Sequence, residues 1–521
     1  MPVLESTTAT LTDDRAPHLD QRAAVTSSGR DTDARVLATV EGRSGVRWQN
    51  WARSQECRPE RIFYPSTVDE LQAIVRAATA SGRRVSVAGR GHSMGPLSLT
   101  DDYLVDTRRL NRIGPVDVQR RLVTVESGVS VAELDRVLRR HGLAMPTNVV
   151  LTSVRYGGVV ATGCHGAGWQ SQTISDLVDS MTIVTHTGEV VRFSEATHGP
   201  NVMNAVRCNL GTFGIVHEIT FRVQPDFNLT AVDEHLPLSL TTDLGQLRSF
   251  LSGNDYVEVF WLPQSSGLWA KSWNRTDTPA RRRSWTSVPL DFAKTTTGNA
   301  MWRAAIRVPA ATRAINETLY RSFTPHRRSM VLDAADSFHY QHFIDLVRCE
   351  IMSFAIVIDP EFRNVAKAWQ IVVDKVRERA AAGESPLNLV LEMRVIRDSN
   401  VLLSPAFSTS GQHHCYFELI SAAGTPGCRE FFDEVATAWM RSPELHARPH
   451  WAKYFADIPG IVPYIHQAWQ GNIAKFAGIR DQIDPGRMFL NPSMQRILYP
   501  ADLSLNSPTG LCSRQADRRS S

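Results

Sequence analysis

The stretch RRVSVAGRGHS, residues 83–93, joins a short β-branched strand to a glycine-rich turn, and it decides the interpretation of the rest of the chain. Glycine adopts left-handed backbone angles freely and lets another group approach the main chain closely. Consecutive backbone N–H groups in such a turn form a concave site for an anion. The turn at 89–93 therefore predicts a loop that binds phosphate, as the pyrophosphate of a dinucleotide requires.

A Rossmann fold that binds a nicotinamide cofactor is the first alternative for this turn. Its glycines are Gly89, Gly91 and Gly95, which is not the G-x-G-x-x-G spacing. Pro96 and strand-like residues follow, where the Rossmann motif requires the start of a helix. The context therefore disfavours the Rossmann alternative.

Two further glycine-rich sets lie downstream of the first. They are GGVVATGCHGAG at 157–168 and NLGTFGIV at 209–216. Any one set is explained by a tight turn, and five glycines within 157–168 exclude an ordinary helix or strand interior. Three sets between residues 89 and 216, each next to a strand, favour a cofactor wrapped by backbone amides.

The regular elements around these turns alternate between helix and strand and predict an α+β fold. Capping boxes begin two helices, Thr67 with Glu70 and Ser130 with Glu133. The spacing of apolar residues and the positions of turn residues identify the other helices and strands. The pattern predicts helices at 67–80 and 130–140, a hairpin at 181–193 around Thr187-Gly188, and strands at 122–126, 215–223, 387–395 and 414–421.

Length and composition limit the class of protein. A chain of 521 residues is too long for one ordinary core, and a net charge of +4 on that length does not indicate a nucleic-acid partner. No window is apolar enough for a membrane span, and the polar N-terminus is not a secretory signal. Seven scattered cysteines without a CxxC pair predict neither a disulfide framework nor a metal site, and they favour a reducing cytoplasm.

Taken together, the motifs resemble the aldonolactone oxidoreductases of the vanillyl-alcohol-oxidase superfamily, which includes gulonolactone, arabinonolactone and alditol oxidases. The resemblance covers residues 46–500, and its specificity comes from many short motifs in the same order. The motifs are WQNWAR (48–53), the helix–strand–GRGHS unit (66–93), VTVESG (123–128), YGGVVATGCHGAG (156–168), NLGTFGIV (209–216), LEMR (391–394), LLSP (402–405), PHWAK (449–453) and DPGRMFLN (484–491).

The resemblance implies a PCMH-type FAD-binding domain with a cap domain built on an antiparallel sheet. Polar composition adds a disordered tail at each end. The expected division is a tail at 1–45, the FAD-binding domain at 46–228, the cap domain at 229–440, a segment that returns to the FAD site at 441–500, and a tail at 501–521.

The resemblance also implies how FAD is held. In these enzymes the histidine of the G-x-G-H-S turn is joined covalently to the flavin, and that residue here is His92. A surface histidine near a phosphate is the structural alternative. The expected cofactor-binding residues are Gly89, Arg90, Gly91, His92, Ser93, Gly128, Gly158, Gly163, His165, Gly166, Gly168, Ile215, Val216 and Asn491.

Candidate catalytic residues come from the strand LNLVLEMRV. Glu392 and Arg394 occupy alternate positions, so both side chains point to the same face. A surface ion pair is the structural alternative. The resemblance implies instead that Glu392 orients the hydroxyl groups of the substrate and that Arg394 places positive charge near the flavin, where it would stabilise the reduced ring.

The proton acceptor stays open between two residues. Lys453, in PHWAK, corresponds to the substrate-binding lysine of the family, and beside Arg394 its pKa would fall far enough for a base. His414 follows the Glu-x-Arg strand and is the rival acceptor, while His450 is a weaker candidate.

The expected reaction is oxidation of a secondary or primary hydroxyl group of an aldono-1,4-lactone or polyol, with hydride transfer to flavin N5. The alternative is an oxidase that tailors a glycosylated or cyclitol-type natural product. A flavin-binding protein without turnover would be expected to lack the Glu-x-Arg pair or Lys453, and both are present. The electron acceptor is O2 or another acceptor. The position that controls oxygen access in the family falls at Val149, and a residue bulkier than the glycine or alanine of relatives favours another acceptor.

Overall fold

The computed structural model describes residues 35–280, 287–340 and 344–500. Most of the tail predicted at 1–45 and all of that predicted at 501–521 lie outside these ranges. Residues 35–39 are nevertheless helical, and Gly42–Ser44 is a strand paired with Arg61–Phe63. The N-terminal tail is therefore shorter than the composition predicted, because this strand has a partner in the sheet.

The first half of the chain forms two main sheets, which we call the N-terminal sheets. The four-stranded sheet is mixed, and the five-stranded sheet is antiparallel. In spatial order their strands are Gly42–Ser44, Arg61–Phe63, Tyr103–Asp106 and Val85–Ala88, and then Val190–Ser194, Val178–Val184, Ile215–Arg222, Leu122–Glu126 and Ile113–Asp117. Two short pairs join Trp48–Gln49 to Glu56–Cys57 and Leu143–Ala144 to Gln224–Pro225.

The second half forms one antiparallel sheet of eight strands, which we call the cap sheet. Its long central strands come from widely separated parts of the chain, so its register is set by tertiary pairing. In spatial order the strands are Arg328–Asp333, Asn228–Pro237, Gly267–Thr276, Tyr256–Trp261, Val390–Ile396, His414–Ala422, Cys349–Val357 and Arg448–Pro449.

Helices cover both groups of sheets. None of the helices in the described ranges combines the length and the apolarity that a membrane crossing requires. The α-helices are Val68–Ser81, Val131–Arg140, Tyr156–Ala161, Glu195–Arg207, Leu244–Ser252, Ser287–Arg307, Thr312–Phe323, Ala334–Phe338, Arg363–Ala381, Cys428–Met440, Ile461–Ala468, Asn472–Ile483 and Pro492–Leu498. Short 3-10 turns lie at Thr107–Arg109, Ile174–Leu177, Leu238–Thr241, Pro309–Ala311, Ile344–Leu346 and Pro443–Leu445.

The helices and strands predicted from local patterns are confirmed, but the first capping box is incomplete, because the Glu70 carboxylate accepts from the Ser66 amide instead of the Thr67 amide. The helix Val131–Arg140 begins with a complete capping box, in which Ser130 accepts from the Glu133 amide and Glu133 accepts from the Ser130 amide. The predicted hairpin is present as Val178–Val184 with Val190–Ser194. These elements were predictable because their start and stop signals lie within a few residues of each other.

One strand of the cap sheet shows how packing orients the site. In Val390–Ile396 the side chains of Leu391, Met393 and Val395 are buried in the main apolar core. Because side chains alternate along a strand, this packing turns the intervening Glu392 and Arg394 to the opposite face of the sheet.

The last segment of the chain returns to the N-terminal sheets. The amide of Val85 donates to the carbonyl of Met488 at 3.0 Å. The Asn491 side chain donates to the carbonyls of Pro96 and Leu97 at 3.0 and 2.9 Å. These bonds fix the loop that follows the glycine-rich turn, although the domain boundaries themselves stay a prediction.

Candidate active site

A cavity of about 540 Å³ is lined by both groups of sheets. On one side lie the 89–93 turn, the start of the helix Tyr156–Ala161 and the loop around Asn209, which we call the cradle. On the opposite side lie polar side chains of the cap sheet. The cavity therefore meets backbone groups on one wall and charged side chains on the other.

The cradle has the features of a site for a cofactor that approaches the main chain. Gly91 has φ +73°, which favours glycine, and Gly158 faces open space, with no atom within 4 Å of the position that a Cβ would take. The Ser127 hydroxyl also lines the cavity, is buried and has no hydrogen-bond partner among the described residues. A buried polar atom without a partner indicates that a bound group completes its bonding.

The predicted cofactor-binding residues divide into two sets. Those that line the cavity are Gly89, Arg90, Gly91, His92, Ser93, Gly158, His165 and Val216. Those that do not line it are Gly128, Gly163, Gly166, Gly168, Ile215 and Asn491.

The second set supports the scaffold. A Cβ on Gly128 would lie 1.9 Å from the Thr107 carbonyl oxygen, and one on Gly166 would lie 2.4 Å from the Asn148 carbonyl oxygen. Asn491 caps the helix Pro492–Leu498. Glycine patterns alone could not separate backbone contacts within the protein from contacts with a cofactor, so direct contact between these six residues and the cofactor stays a prediction.

His92 lies in the cradle against an aromatic ring. Its imidazole stacks on Trp51 with ring centroids 4.8 Å apart and an interplanar angle of 18°. Its Nε2 is 3.8 Å from Oδ1 of Asp345. Burial lowers the pKa of His92 to about 4 despite the opposing charge of Asp345. The imidazole is therefore neutral at neutral pH, and a neutral imidazole can act as a nucleophile.

Glu392 and Arg394 form a buried hydrogen-bonded pair rather than an ion pair on the surface. The guanidinium Nε of Arg394 donates to Oε1 of Glu392 at 2.5 Å and lies 3.4 Å from Oε1 of Glu258. The Tyr340 hydroxyl donates to the other oxygen of Glu258. Arg394 is thus held between two carboxylates, with its position fixed from both sides.

This arrangement belongs to a row of charges that crosses the cap sheet. Neighbouring strands place Asp233 opposite Lys271, Lys271 opposite Glu258, Glu258 opposite Arg394, and Arg394 opposite Tyr416. The Lys271 ammonium is 2.5 Å from Oδ1 of Asp233. Opposite charges on directly facing positions attract. The row therefore runs along one face of the sheet, from the cavity towards one edge, through paired charges.

A second ion pair lies beside the first. Nζ of Lys453 is 3.4 Å from each carboxylate oxygen of Glu418. Burial would raise the pKa of Glu418, but Lys453 and Arg394 outweigh burial and lower that pKa to about 2. Burial, together with Glu258 and Glu418, raises the pKa of Glu392 to about 8. Three buried acidic side chains surround two cations here, and the raised pKa of Glu392 keeps it protonated near neutral pH.

Histidines and a tyrosine form the part of the wall nearest the cradle. His165 stacks on Tyr416 with centroids 3.6 Å apart, and the His450 ring lies 5.6 Å from that of His165. Burial lowers the pKa of His165 to about 4 and lowers that of His450 well below its usual value. Both rings are therefore weak bases, and His450 stays the weaker candidate for the proton acceptor.

The structure does not bring His414 to the cavity, which corrects its prediction as a rival proton acceptor. Its side chain is fully buried, and neither ring nitrogen has a hydrogen-bond partner among the described residues. Burial and the nearby Arg448 lower the pKa of His414 to about 3. Alternation along the strand left the face of His414 open, and it could not show that the cavity ends before this residue.

Sequence reasoning missed four polar residues near the cavity: Glu258, Tyr340, Asp345 and Glu418. Glu418 could have been found, because it lies four residues after His414 on the same face of one strand. Glu258, Tyr340 and Asp345 reach the site through pairings between distant segments. The sequence around these three residues contains no local pattern that could have identified them.

Two family models match the chain. A model described as an FAD binding domain matches residues 59–194, which include the 89–93 turn and Gly158. A model described as D-arabinono-1,4-lactone oxidase matches residues 219–497, more than half of the chain. The predicted cofactor FAD is supported by the first match, whereas a covalent link to it stays a prediction.

Proteins of similar sequence span nearly the whole chain. An L-gulonolactone oxidase from Scyliorhinus torazame is 28% identical, covering 88% of this chain and 100% of that protein. A D-arabinono-1,4-lactone oxidase from Eremothecium gossypii is 31% identical, covering 87% of this chain and 96% of that protein.

Solved structures show the fold. Cholesterol oxidase from Brevibacterium sterolicum superimposes with a TM-score of 0.75 at 19% identity, over 88% of this chain and 98% of that one. The predicted α+β fold, with an FAD-binding domain and an antiparallel cap sheet, is confirmed.

Proposed function

The chain belongs to the D-arabinono-1,4-lactone oxidase family, and from this premise we propose that it oxidises a hydroxyl group of an aldono-1,4-lactone or polyol with FAD as hydride acceptor. Family membership confirms the prediction of an FAD-dependent oxidoreductase. The observation that carries the proposal is the cluster of Glu392, Arg394, Glu418 and Lys453, which lines the same cavity as the cradle.

This cluster suits a substrate rich in hydroxyl groups. Carboxylates accept hydrogen bonds from hydroxyl groups, and the cations donate to hydroxyl, carbonyl or ring oxygens. Bound FAD would supply the two-electron chemistry. The chain supplies position and charge: Glu392 and Glu418 orient the substrate, and Arg394 places positive charge where negative charge develops.

Glu392 is the better proton acceptor in this cluster. Nζ of Lys453 is 3.4 Å from the carboxylate of Glu418, and this ion pair suits Lys453 to binding the substrate. Glu392 changes its protonation near pH 8, and a base works best when its pKa is near the working pH. We therefore assign the substrate proton to Glu392, and kcat/KM should rise with pH towards about 8.

The reaction is tested by mixing the flavin-loaded protein with a panel of aldono-1,4-lactones and polyols without oxygen. Loss of the yellow absorbance reports flavin reduction. Lys453→Met should weaken substrate binding, because it removes a cation from the cluster. A wild-type protein that holds FAD, yet is reduced by no member of the panel, would contradict the proposed substrate class.

The link between His92 and FAD is part of the proposal. Support comes from the place of His92 in the cradle and from its neutral imidazole. After acid precipitation, the yellow colour should stay in the wild-type pellet and pass into the supernatant for His92→Ala. Wild-type colour in the supernatant would refute the covalent link and leave a noncovalent FAD enzyme.

The proposed electron acceptor is a molecule other than O2. Val149 lines the cavity, and its side chain restricts access more than glycine would. Val149→Gly should therefore increase the rate at which O2 reoxidises the reduced flavin, while reduction by substrate stays unchanged. Fast reoxidation of the wild type by O2 would contradict this assignment.

A second candidate function is the tailoring of a glycosylated or cyclitol-type natural product. The observation in its favour is the apolar lining beyond the charged cluster, which includes Phe260, Leu262, Trp269, Trp302 and Leu319. Such a wall fits an apolar substituent on a hydroxylated ring. Trp302→Ala should then impair oxidation of an alkyl glycoside and leave oxidation of the free polyol unchanged. Equal effects on both substrates would favour the first function.

We also keep a cytoplasmic location as a proposal. The six cysteines of the described ranges are all free thiols. Unpaired thiols are typical of a reducing compartment. Cell fractionation would test the location directly.

A further inference from the structure

Two buried polar atoms face each other across the boundary between the cradle and the cap sheet. Nε2 of His92 and Oδ1 of Asp345 are 3.8 Å apart, and neither has a hydrogen-bond partner among the described residues. This is an ion-pair distance rather than a hydrogen bond. Buried polar atoms are nearly always satisfied, so an unsatisfied pair indicates a role in binding or reaction.

Asp345 is held in this position by contacts with the N-terminal half of the chain. The Ser153 hydroxyl donates to Oδ2 of Asp345 at 2.6 Å. The indole N–H of Trp51 donates to the backbone carbonyl of Asp345 at 3.2 Å, and the same indole stacks on His92. The carboxylate is therefore aimed at the imidazole by one side chain and by its own backbone.

A carboxylate beside one imidazole nitrogen determines where the ring carries its proton. The proton of a neutral imidazole is favoured on the nitrogen that faces the carboxylate, here Nε2, and the lone pair is then on Nδ1. The same carboxylate stabilises the positive charge that develops on the ring when Nδ1 attacks an electrophile. The other charged groups near the ring, Arg90 and Lys453, oppose that charge.

We propose that Asp345 is a positioning residue for the attachment of FAD, holding the Nε2 proton of His92 so that Nδ1 bonds to the flavin methyl carbon. This inference rests on the covalent link of the proposed function. One C–H bond of the methyl group breaks and its proton passes to solvent, the imidazole N–H bond breaks and its proton passes to Asp345, and one C–N bond forms. The electron pair passes to the flavin ring, and the electron acceptor of the proposed reaction, a two-electron oxidant, reoxidises it.

The experiment follows attachment itself rather than turnover. The full chain is prepared without flavin, mixed with FAD, and sampled over time on denaturing gels, where covalently bound flavin fluoresces. Asp345→Asn retains the shape of the side chain and an oxygen that can accept from Ser153, but removes the charge. Attachment should be ~100-fold slower, the order of magnitude for losing a group that manages a proton. Noncovalent binding of FAD should persist.

Three further variants keep the test decisive. Asp345→Glu restores the charge and should recover part of the rate, which a merely structural role would not predict. Ser153→Ala releases the carboxylate and should slow attachment ~10-fold, the order of magnitude for losing a partner that orients a functional side chain. Asp336→Asn, a nearby carboxylate paired with Arg139, is the matched control and should attach FAD at the wild-type rate.

The outcomes separate the two claims. Wild-type protein without covalent flavin contradicts the link to His92. Covalent wild-type protein together with an equally fast Asp345→Asn variant overturns the role of Asp345 alone. If Asp345→Asn does not fold, Ser153→Ala decides, and attachment at the wild-type rate in Ser153→Ala would overturn the inference.

Discussion

The two walls of the cavity are built in different ways. The cradle consists of glycines, backbone groups and a few small polar side chains, and several of its glycines pack directly against other backbone atoms. The cap wall consists of buried charges, with Glu258, Glu392 and Glu418 distributed around Arg394 and Lys453. The structure of the cradle depends on the space available to the main chain. The structure of the cap wall depends on the balance between buried acidic and basic side chains.

This difference determines how each wall should fail. A substitution in the cradle acts by steric overlap, with an effect independent of pH. A substitution in the cap wall leaves a buried charge without its partner, so its cost depends on protonation and on the remaining neighbours. The four predictions below test that distinction.

The largest effect is expected for Arg394→Met. The variant leaves Glu258 and Glu392 buried without their shared cation, which should cost ~3–5 kcal/mol in the free energy of unfolding. It should also lower kcat by roughly 10²–10³, the usual loss for one group that stabilises developing charge. Chemical denaturation and flavin reduction measure the two effects. Arg397→Met removes a half-exposed cation on the same segment and should change stability by ~0.5 kcal/mol or less.

The second prediction concerns pH and Glu392. Because its pKa is raised from 4.5 to about 8 in the folded protein, its stabilising contribution is full below pH 4.5 and declines as the pH rises to about 8. The decline relative to Glu392→Gln should be about 1.4 kcal/mol for each pH unit. Thermal unfolding of both proteins from pH 4.5 to 8.5 measures it. If the stabilities of the two proteins change with pH in parallel, the pKa of Glu392 is not raised by folding.

The third prediction separates two glycines of the N-terminal half. Gly128→Ala should destabilise the fold by roughly 3 kcal/mol, because its Cβ would overlap the Thr107 carbonyl. Gly158→Ala lies in a helix with free space around it, so it should stabilise the protein without cofactor by ~0.5–1 kcal/mol. It should nevertheless weaken FAD binding, because the methyl group enters the cavity. Equal destabilisation by both would contradict the distinction between scaffold and cavity glycines.

The smallest effect is expected for Glu258→Gln. Glutamine retains the size of the side chain, and Glu392 still holds Arg394, so the guanidinium loses one of two anchors. We expect kcat to fall about tenfold, equivalent to ~1.4 kcal/mol in the barrier, with KM little changed. An increase in KM at constant kcat would instead make Glu258 a substrate-binding residue.

The sequence predicted most of the cradle, for a physical reason. The turn at 89–93, the capping boxes and the Thr187-Gly188 hairpin carry their signals within a few residues. The Glu392–Arg394 pair was also accessible, because alternation along one strand places both side chains on one face.

The rest of the site depends on contacts between distant segments. The register that places Glu258 opposite Arg394 joins strands more than 130 residues apart. Asp345 reaches His92 from the cap side of the cavity, and His414 misses the cavity although it shares a face with Glu418. Periodicity identifies the face of a strand, but not which strand lies beside it or where a cavity ends.

The row from Asp233 to Arg394 has a consequence for how this protein can change over generations. Lys271 and Glu258 each face an opposite charge on both neighbouring strands, so exchanging either one alone leaves two neighbours unmatched. Viable lineages should therefore reverse the charges at these positions jointly or not at all. A mutant library that randomises Asp233, Lys271, Glu258 and Arg394 together should yield functional combinations that stepwise selection from single substitutions would never reach.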